Sequence, residues 1–125
     1  MEIDAKSLQL LMEAGMLAAG YGYMPESETI FEGLKAVRPE SESPLIGLAF
    51  TKMSTRQVDE AIRILDEQAL KINPDSDLAR AFLGLAYKLA GRGELSDSMV
   101  NQVLDSNRDP AAVNLAKSIQ NGLNT

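Results

Sequence analysis

The stretch that decides the fold is Leu83-Gly84-Leu85-Ala86-Tyr87-Lys88-Leu89-Ala90-Gly91, which begins nine residues after Pro74. Its leucine–glycine pair, the aromatic residue three positions later and the closing glycine have the spacing of a helix that ends in a turn. A glycine at position 84 lets two helices cross closely, and the tyrosine can fill the space between neighbouring helices. The stretch therefore predicts one helix of a stack.

Three prolines, Pro39, Pro74 and Pro110, follow one another at intervals of 35 and 36 residues. Helical patterns of apolar residues lie between them, without the alternation that is typical of strands. This period and the motif at 83–91 resemble those of the tetratricopeptide repeat (TPR), a hairpin of about 34 residues that buries its apolar face only against neighbouring repeats. We therefore predict an all-α fold with three tandem TPR-like helical hairpins and a C-terminal capping helix.

On this interpretation residues 1–125 form a single TPR domain, with repeats at about 8–39, 43–74 and 77–110 and a capping helix at about 110–123. We expect helices at 7–20, 25–38, 43–53, 58–72, 76–90, 95–104 and 111–123. Ser54 and Gln57 have the spacing of a capping box for the fourth helix. In the second repeat, one extra residue separates the TPR matches at 60–62 and 69–74.

The composition argues against several classes of function. The chain has no cysteine and no histidine, so thiol, imidazole and zinc chemistry of the usual kinds is not expected. Its formal charge of −6 argues against a nucleic-acid partner. The acidic pairs lie at helix starts, and Gly91-x-Gly93 has no surrounding phosphate-binding pattern. We expect no enzymatic activity, no cofactor, no metal site and no membrane span.

In a TPR array the first helix of each repeat lines the concave face, and this geometry assigns nine positions here to a partner-binding groove. They are Met12, Met16, Ile46, Phe50, Met53, Leu78, Ala81, Leu85 and Leu89. All are apolar, whereas TPR domains that clamp a peptide carboxylate place basic residues and asparagine at such positions. Only Lys52, Arg80 and Lys88 flank the predicted groove. The pattern favours the apolar face of an amphipathic helix as ligand; the alternative is that the stripe packs internally or on a second copy.

Three stretches carry a resemblance to one family. They are Leu10-x-x-x-Ala14-Gly15, Leu83-Gly84-Leu85, and the ending from Ser106-Asn107-Arg108-Asp109-Pro110 to Gly122-Leu123-Asn124-Thr125. With the short, acidic, three-repeat organisation, they resemble the TPR-type chaperones of bacterial type III secretion. The resemblance is greatest to the chaperones that hold the needle-forming subunit.

The resemblance implies a cytoplasmic virulence-associated chaperone that binds the amphipathic helix of a secreted needle subunit and prevents its premature polymerisation. It also implies a small helical co-chaperone as a second partner. The alternative function is a generic TPR adaptor, or a chaperone of secretion translocators, that binds an extended peptide through Lys52, Arg80 or Lys88.

Overall fold

The structure is a computed structural model and describes residues 3–122. Within that range the chain is helical without strands, and seven helices follow one another. They are α1 (Ala5–Gly20), α2 (Met24–Val37), α3 (Ser43–Ser54), α4 (58–72), α5 (Asp77–Leu89), α6 (Gly93–Ser106) and α7 (Pro110–Gln120). The all-α fold class is confirmed, and each predicted helix is present with ends that differ by a few residues. The predicted end of the last helix, at 123, lies outside the described residues.

The helices form three hairpins, α1–α2, α3–α4 and α5–α6, followed by the single helix α7. The first helices of successive hairpins contact one another, α1 on α3 and α3 on α5, and α7 continues this row by packing on α5 and α6. The second helices lie on the other side, where α2 contacts α3 and α4 contacts α5. This is the stacking that the repeat period predicts. No helix of the described range is long and apolar enough to cross a lipid bilayer.

Phe31 marks the closest approach between the first two hairpins. Its fully buried ring lies over two glycines, Gly15 of α1 and Gly47 of α3. A Cβ atom added to Gly15 would lie 2.6 Å from the ring, and one added to Gly47 would overlap it. Because glycine has no side chain, the large aromatic ring and three helix backbones fit into one small volume.

In the first and third hairpins, the same kind of hydrogen bond joins the two helices. Ser27 Oγ donates to the Gly15 carbonyl at 2.9 Å, and Ser96 Oγ donates to the Gly84 carbonyl at 2.8 Å. Each bond joins residues twelve apart, and the two glycines are 69 residues apart, about two repeat lengths. Each serine therefore adds a buried polar contact across its hairpin.

Helix α4 departs from regular α geometry in its middle. It runs as α-helix over Val58–Arg63, as π-helix over Ile64–Ala69 and again as α-helix over Leu70–Ile72. A π-turn accommodates one more residue than an α-turn. The extra residue in the sequence of the second repeat is therefore absorbed inside the helix, and Ala61, Leu65 and Ala69 all remain fully buried.

Side-chain hydrogen bonds cap the N-termini of three of the described helices, α1, α5 and α7. Ser76 Oγ accepts from the Ala79 N–H, and Asp109 Oδ1 accepts from the Ala111 N–H, as expected for N-caps. The predicted capping box of Ser54 is wrong. Ser54 still belongs to α3, and Gln57 occupies the cap position of α4 without a capping bond. The intervening Arg56 has φ of 64°, so the chain turns sharply between the two helices.

A buried carboxylate holds the third hairpin to the turn before α7. Asp77 Oδ2, at the start of α5, accepts from Ser106 Oγ at 2.7 Å and from Arg108 Nε at 3.1 Å. Behind this contact, Ala112, Ala116 and Ile119 of α7 form a second small core with residues of α5 and α6. Helix α7 therefore covers one side of α5 and determines which side of α5 is left open.

Candidate functional site

The open side of α5 carries an apolar stripe, which we call the α5 stripe: Leu78, Phe82, Leu85 and Leu89. Their spacing of four, three and four residues places them on one face of the helix. The first three are half-buried, and Leu89 is 54% exposed. The stripe is thus a continuous apolar ridge whose outer edge faces solvent.

Residues between those of the stripe build the scaffold. Leu83, Ala86 and Tyr87 are buried in the main core. At Gly84 a Cβ atom would be 3.4 Å from Met99 of α6, so helices α5 and α6 cross closely there, as the sequence predicts. The motif residues hold α5 in the stack, and the leucines among them lie on a different face.

Phe50 of α3 joins the α5 stripe. Its half-buried ring meets that of Phe82 edge to face, with centroids 6.1 Å apart and ring planes at 77°. The pair extends the apolar surface from the third hairpin to the second. Aromatic pairs in this geometry are favourable beyond the area that they bury.

Three of the nine predicted groove residues are instead core residues. Ile46, Met53 and Ala81 are 5%, 8% and 0% exposed. Ala81 contacts the small core beneath α7, because α7 lies against that side of α5. The expectation that these three would offer open surface is therefore wrong. Met12, Met16, Phe50, Leu78 and Leu85 are half-buried, and with Leu89 they are the predicted residues that retain accessible surface. Their role in binding stays a prediction.

Phe82 is the residue that sequence reasoning missed. The TPR register pointed to Ala81, its neighbour, as a groove position. The signal that identifies Phe82 is its spacing, four residues after Leu78 and three before Leu85, which predicts a shared helix face. For choosing the surface residues of α5, the spacing of its large apolar side chains is a better guide than positions carried over from other TPR repeats.

Helix α1 and the residue after it line an apolar depression of their own. A shallow depression of about 660 Å³ is lined by Met12, Glu13, Met16, Leu17, Gly20 and Tyr21. Met12 and Met16 pack with one side on the main core and line this depression with the other. Methionine is flexible enough to fit ligands of different shape.

The basic residues beside the groove are already engaged. Lys52 Nζ lies 3.1 Å from Glu28 Oε1, and Lys88 Nζ donates to the Ile119 carbonyl at 2.9 Å. Arg80 pairs with Asp77 and also donates to the Pro74 carbonyl. A clamp for a peptide carboxylate needs basic side chains that are available to the ligand. These three would first have to break contacts within the protein.

The acidic and phenolic groups whose pKa values are shifted belong to residues outside the α5 stripe. The Ser7 N–H lowers the pKa of Asp4, and the guanidinium of Arg63 lowers the pKa of Glu60. Burial raises the pKa of Tyr87, which lies in the main core. Among residues 3–122, no group of three or more metal-ligating side chains is close enough to hold an ion. What the α5 stripe and Phe50 offer to a ligand is an apolar surface.

Comparison with known proteins gives a structural likeness only. No family model matches the chain, and no curated protein matches its sequence. Among solved structures, a chain of the structure titled "CopN-Scc3 complex" superposes with a TM-score of 0.67 at 15% identity. The match covers 95% of the present chain and 70% of that chain. At this identity the likeness establishes a shared all-α fold.

Proposed function

We propose that this protein is a cytoplasmic chaperone of bacterial type III secretion. Its cargo is the needle-forming subunit, whose amphipathic helix it binds along the α5 stripe and Phe50. The observation that carries the proposal is the apolar row of α5, in which Leu78, Phe82 and Leu85 pack on the core with one side and keep accessible surface on the other, and Leu89 is 54% exposed.

The physics of such a complex is that of a helix in a groove. An amphipathic helix presents apolar side chains at intervals of three and four residues, the same intervals as the α5 stripe. In free subunits these side chains drive subunit–subunit association. Covering them keeps the cargo monomeric and competent for export, and no chemistry by the chaperone is required.

Two further observations support this assignment. The fold is shared with a chain of the structure titled "CopN-Scc3 complex", and the ending of the present sequence resembles that of needle-subunit chaperones. The proposal includes the small helical co-chaperone that this resemblance implies as a second partner. It includes no enzymatic activity and no cofactor.

The alternative is a generic TPR adaptor or a translocator chaperone that binds an extended peptide. This function would depend on Lys52, Arg80 or Lys88. Their existing contacts with Glu28, with Asp77 and the Pro74 carbonyl, and with the Ile119 carbonyl weigh against it.

The test is capture of the needle subunit when the two proteins are co-expressed. Phe50→Glu and Leu85→Glu should abolish co-purification while the far-UV circular dichroism spectrum stays that of the wild type. Leu95→Glu is the matched control, because Leu95 is a 46% exposed leucine on α6, away from the α5 stripe. Undiminished capture by both groove variants would refute the proposal. Loss of capture only with Lys52→Ala, Arg80→Ala or Lys88→Ala would establish the alternative.

A further inference from the structure

Helix α7 ends on an asparagine–glycine pair. Asn121 is the residue after α7, and Gly122 follows it with φ of 88°, in the left-handed turn that commonly closes a helix. Of the six asparagines in the sequence, Asn121 is the one followed by glycine, and its side chain is exposed to solvent. The pair therefore combines an accessible side-chain amide with a neighbouring backbone nitrogen that no Cβ atom shields.

An asparagine in front of a glycine can react with its own backbone. The Gly122 nitrogen attacks Cγ of Asn121, a carbon–nitrogen bond forms, and the side-chain nitrogen leaves as ammonia together with the Gly122 N–H proton. The product is a succinimide ring. Water then opens the ring at either carbonyl carbon, which leaves aspartate or isoaspartate at position 121. Water is the co-reactant, and nothing is oxidised or reduced.

The last turn of α7 allows this attack after a small movement. The ψ angle of Asn121 is 4°, so the Cα–C bond has to rotate before the Gly122 nitrogen can reach Cγ. The described hydrogen bond that this rotation breaks joins the Gly122 N–H to the Ile119 carbonyl at 3.1 Å. Hydrogen bonds at the end of a helix open at low free energy. The folded protein can therefore reach the reactive conformation without global unfolding.

The other described asparagines are protected by helix position or by the residue that follows them. Asn114 is also exposed, but it lies inside α7, where the next N–H belongs to the helical hydrogen-bond ladder. Asn101 lies inside α6 in the same way. Asn73 precedes a proline, which has no N–H, and Asn107 precedes an arginine, whose side chain hinders the attack. Exposure, a helix end and a following glycine coincide at Asn121.

From this geometry we propose that Asn121 is a site of spontaneous deamidation, at which the folded chain is converted to aspartate and isoaspartate forms. The inference concerns the covalent chemistry of the chain and does not depend on the cargo of the α5 stripe. The reacting groups are the Asn121 side-chain amide and the Gly122 backbone nitrogen.

The modification acts on the helix that covers one side of α5. A carboxylate at the C-terminal end of a helix is unfavourable with the helix dipole. Isoaspartate also adds a methylene group to the main chain, so the Gly122 N–H no longer lines up with the Ile119 carbonyl. Ile119 is 2% exposed and belongs to the small core that α7 shares with α5 and α6. Deamidation therefore loosens the attachment of α7.

The test is incubation of the purified chain at body temperature, followed by trypsin digestion and mass spectrometry. Cleavage after Lys117 separates Asn114 from Asn121, and fragment spectra assign the modified residue. Asn121 should gain the mass difference between an amide and a carboxyl group at least about tenfold faster than Asn114, because Asn114 reacts only when α7 opens. Asn121 that stays unmodified in the folded protein would overturn the proposal, as would equal rates at the two residues.

The reaction should also show the signature of a succinimide. Two products of equal mass, aspartate and isoaspartate, should separate by chromatography, and the rate should rise with pH because the deprotonated backbone nitrogen attacks. Asn121→Gln should stop the reaction, since the longer side chain closes a ring more slowly. Asn114→Gln is the matched control on the same helix and should leave the rate at Asn121 unchanged. Aspartate as the single product would exclude the succinimide route.

The effect on α7 is measured on aged protein. The modified fraction carries an added negative charge, so anion exchange separates it from the unmodified fraction. The modified fraction should have the lower melting temperature, and equal melting temperatures would refute the loosening of α7. Fresh Asn121→Gln protein should still capture the needle subunit, so failure of this inference is distinguishable from failure of the proposed function.

Discussion

The rings of Phe50 and Phe82 meet edge to face across the boundary between the second and third hairpins, with centroids 6.1 Å apart. The two residues are 32 positions apart in the sequence, and only the stacking of α3 on α5 brings them together. The pair gives the open surface an aromatic centre that is rigid compared with the leucines and methionines around it. An aromatic anchor at the middle of an interface is where binding energy concentrates.

Phe82→Ala is therefore expected to weaken binding of the needle subunit's helix by about 2 kcal/mol, the scale of an interface hot spot. The measurement is isothermal titration calorimetry with a peptide of that helix. Leu95→Ala on α6 is the control and should leave affinity within about 0.5 kcal/mol. Equal effects of the two substitutions would show that Phe82 is outside the binding surface.

Gly47 and Gly33 should respond in opposite ways to alanine. Gly47→Ala places a Cβ atom inside the buried ring of Phe31 and should cost about 3 kcal/mol in the free energy of unfolding. Gly33→Ala in α2 meets nothing within 4 Å and should stabilise by about 0.5–1 kcal/mol, because alanine restricts the unfolded chain.

Urea denaturation at neutral pH measures both effects. Adding Phe31→Leu to Gly47→Ala should recover part of the loss, since a smaller side chain makes room for the methyl group. A Gly47→Ala protein as stable as the wild type would contradict the close approach of α3 to Phe31.

Removal of one residue from the π-helical segment should be tolerated. Deletion of the exposed Glu67 would convert α4 into a continuous α-helix. It would bring Ala69 from the eighth to the seventh position after Ala61, which is still on the buried face. We expect the melting temperature to change by about 5 °C or less, which corresponds to about 1 kcal/mol.

Deletion of Gln102 in α6 is the control for that experiment. It is also an exposed residue in a helix, but α6 has no extra residue, so the buried Val103 would rotate off the core face. The expected cost is about 3 kcal/mol, seen as a much lower melting temperature by circular dichroism. Equal melting temperatures for the two deletions would argue against the π-segment as the site of the inserted residue.

Tyr87 should make the fold sensitive to alkaline pH. Burial, with the nearby charge of Asp66, raises the pKa of the Tyr87 phenol above its usual value, so the folded state favours the protonated phenol. The contribution of Tyr87 to the free energy of unfolding is fully present below pH 10. It is lost as the pH rises through the raised pKa, because the unfolded state releases the phenol proton first. Tyr87→Phe removes this loss.

The measurement is the free energy of unfolding of Tyr87→Phe relative to the wild type, at neutral pH and above pH 10. As the pH rises, the free energy of unfolding of the variant should increase relative to that of the wild type. Tyr21→Phe, at a 75% exposed position, is the control for general effects of alkaline pH. A difference that does not change with pH would show that Tyr87 titrates alike in both states.

The helices could be predicted from sequence because their signals are local. Pro25, Pro44 and Pro110 lie within the first turn of α2, α3 and α7, and Ser76 and Asp109 cap α5 and α7 through bonds spanning two or three residues. Capping and the helical period act within a turn or two, so the sequence contains all that they need. Ser54 does not cap α4, because α3 continues through it and the left-handed turn at Arg56 separates it from α4.

The open surface could be predicted only in part. Sequence alone determined that α1, α3 and α5 carry more apolar residues than a three-hairpin core uses, and that one extra residue lies in the second repeat. Tertiary structure decided that α7 buries Ala81 and leaves Phe82 to meet Phe50, that the extra residue is absorbed as a π-turn, and that Leu10 and Leu17 of α1 remain exposed. The physical reason is that helix periodicity specifies which residues share a face, whereas burial of that face depends on which distant helix packs against it.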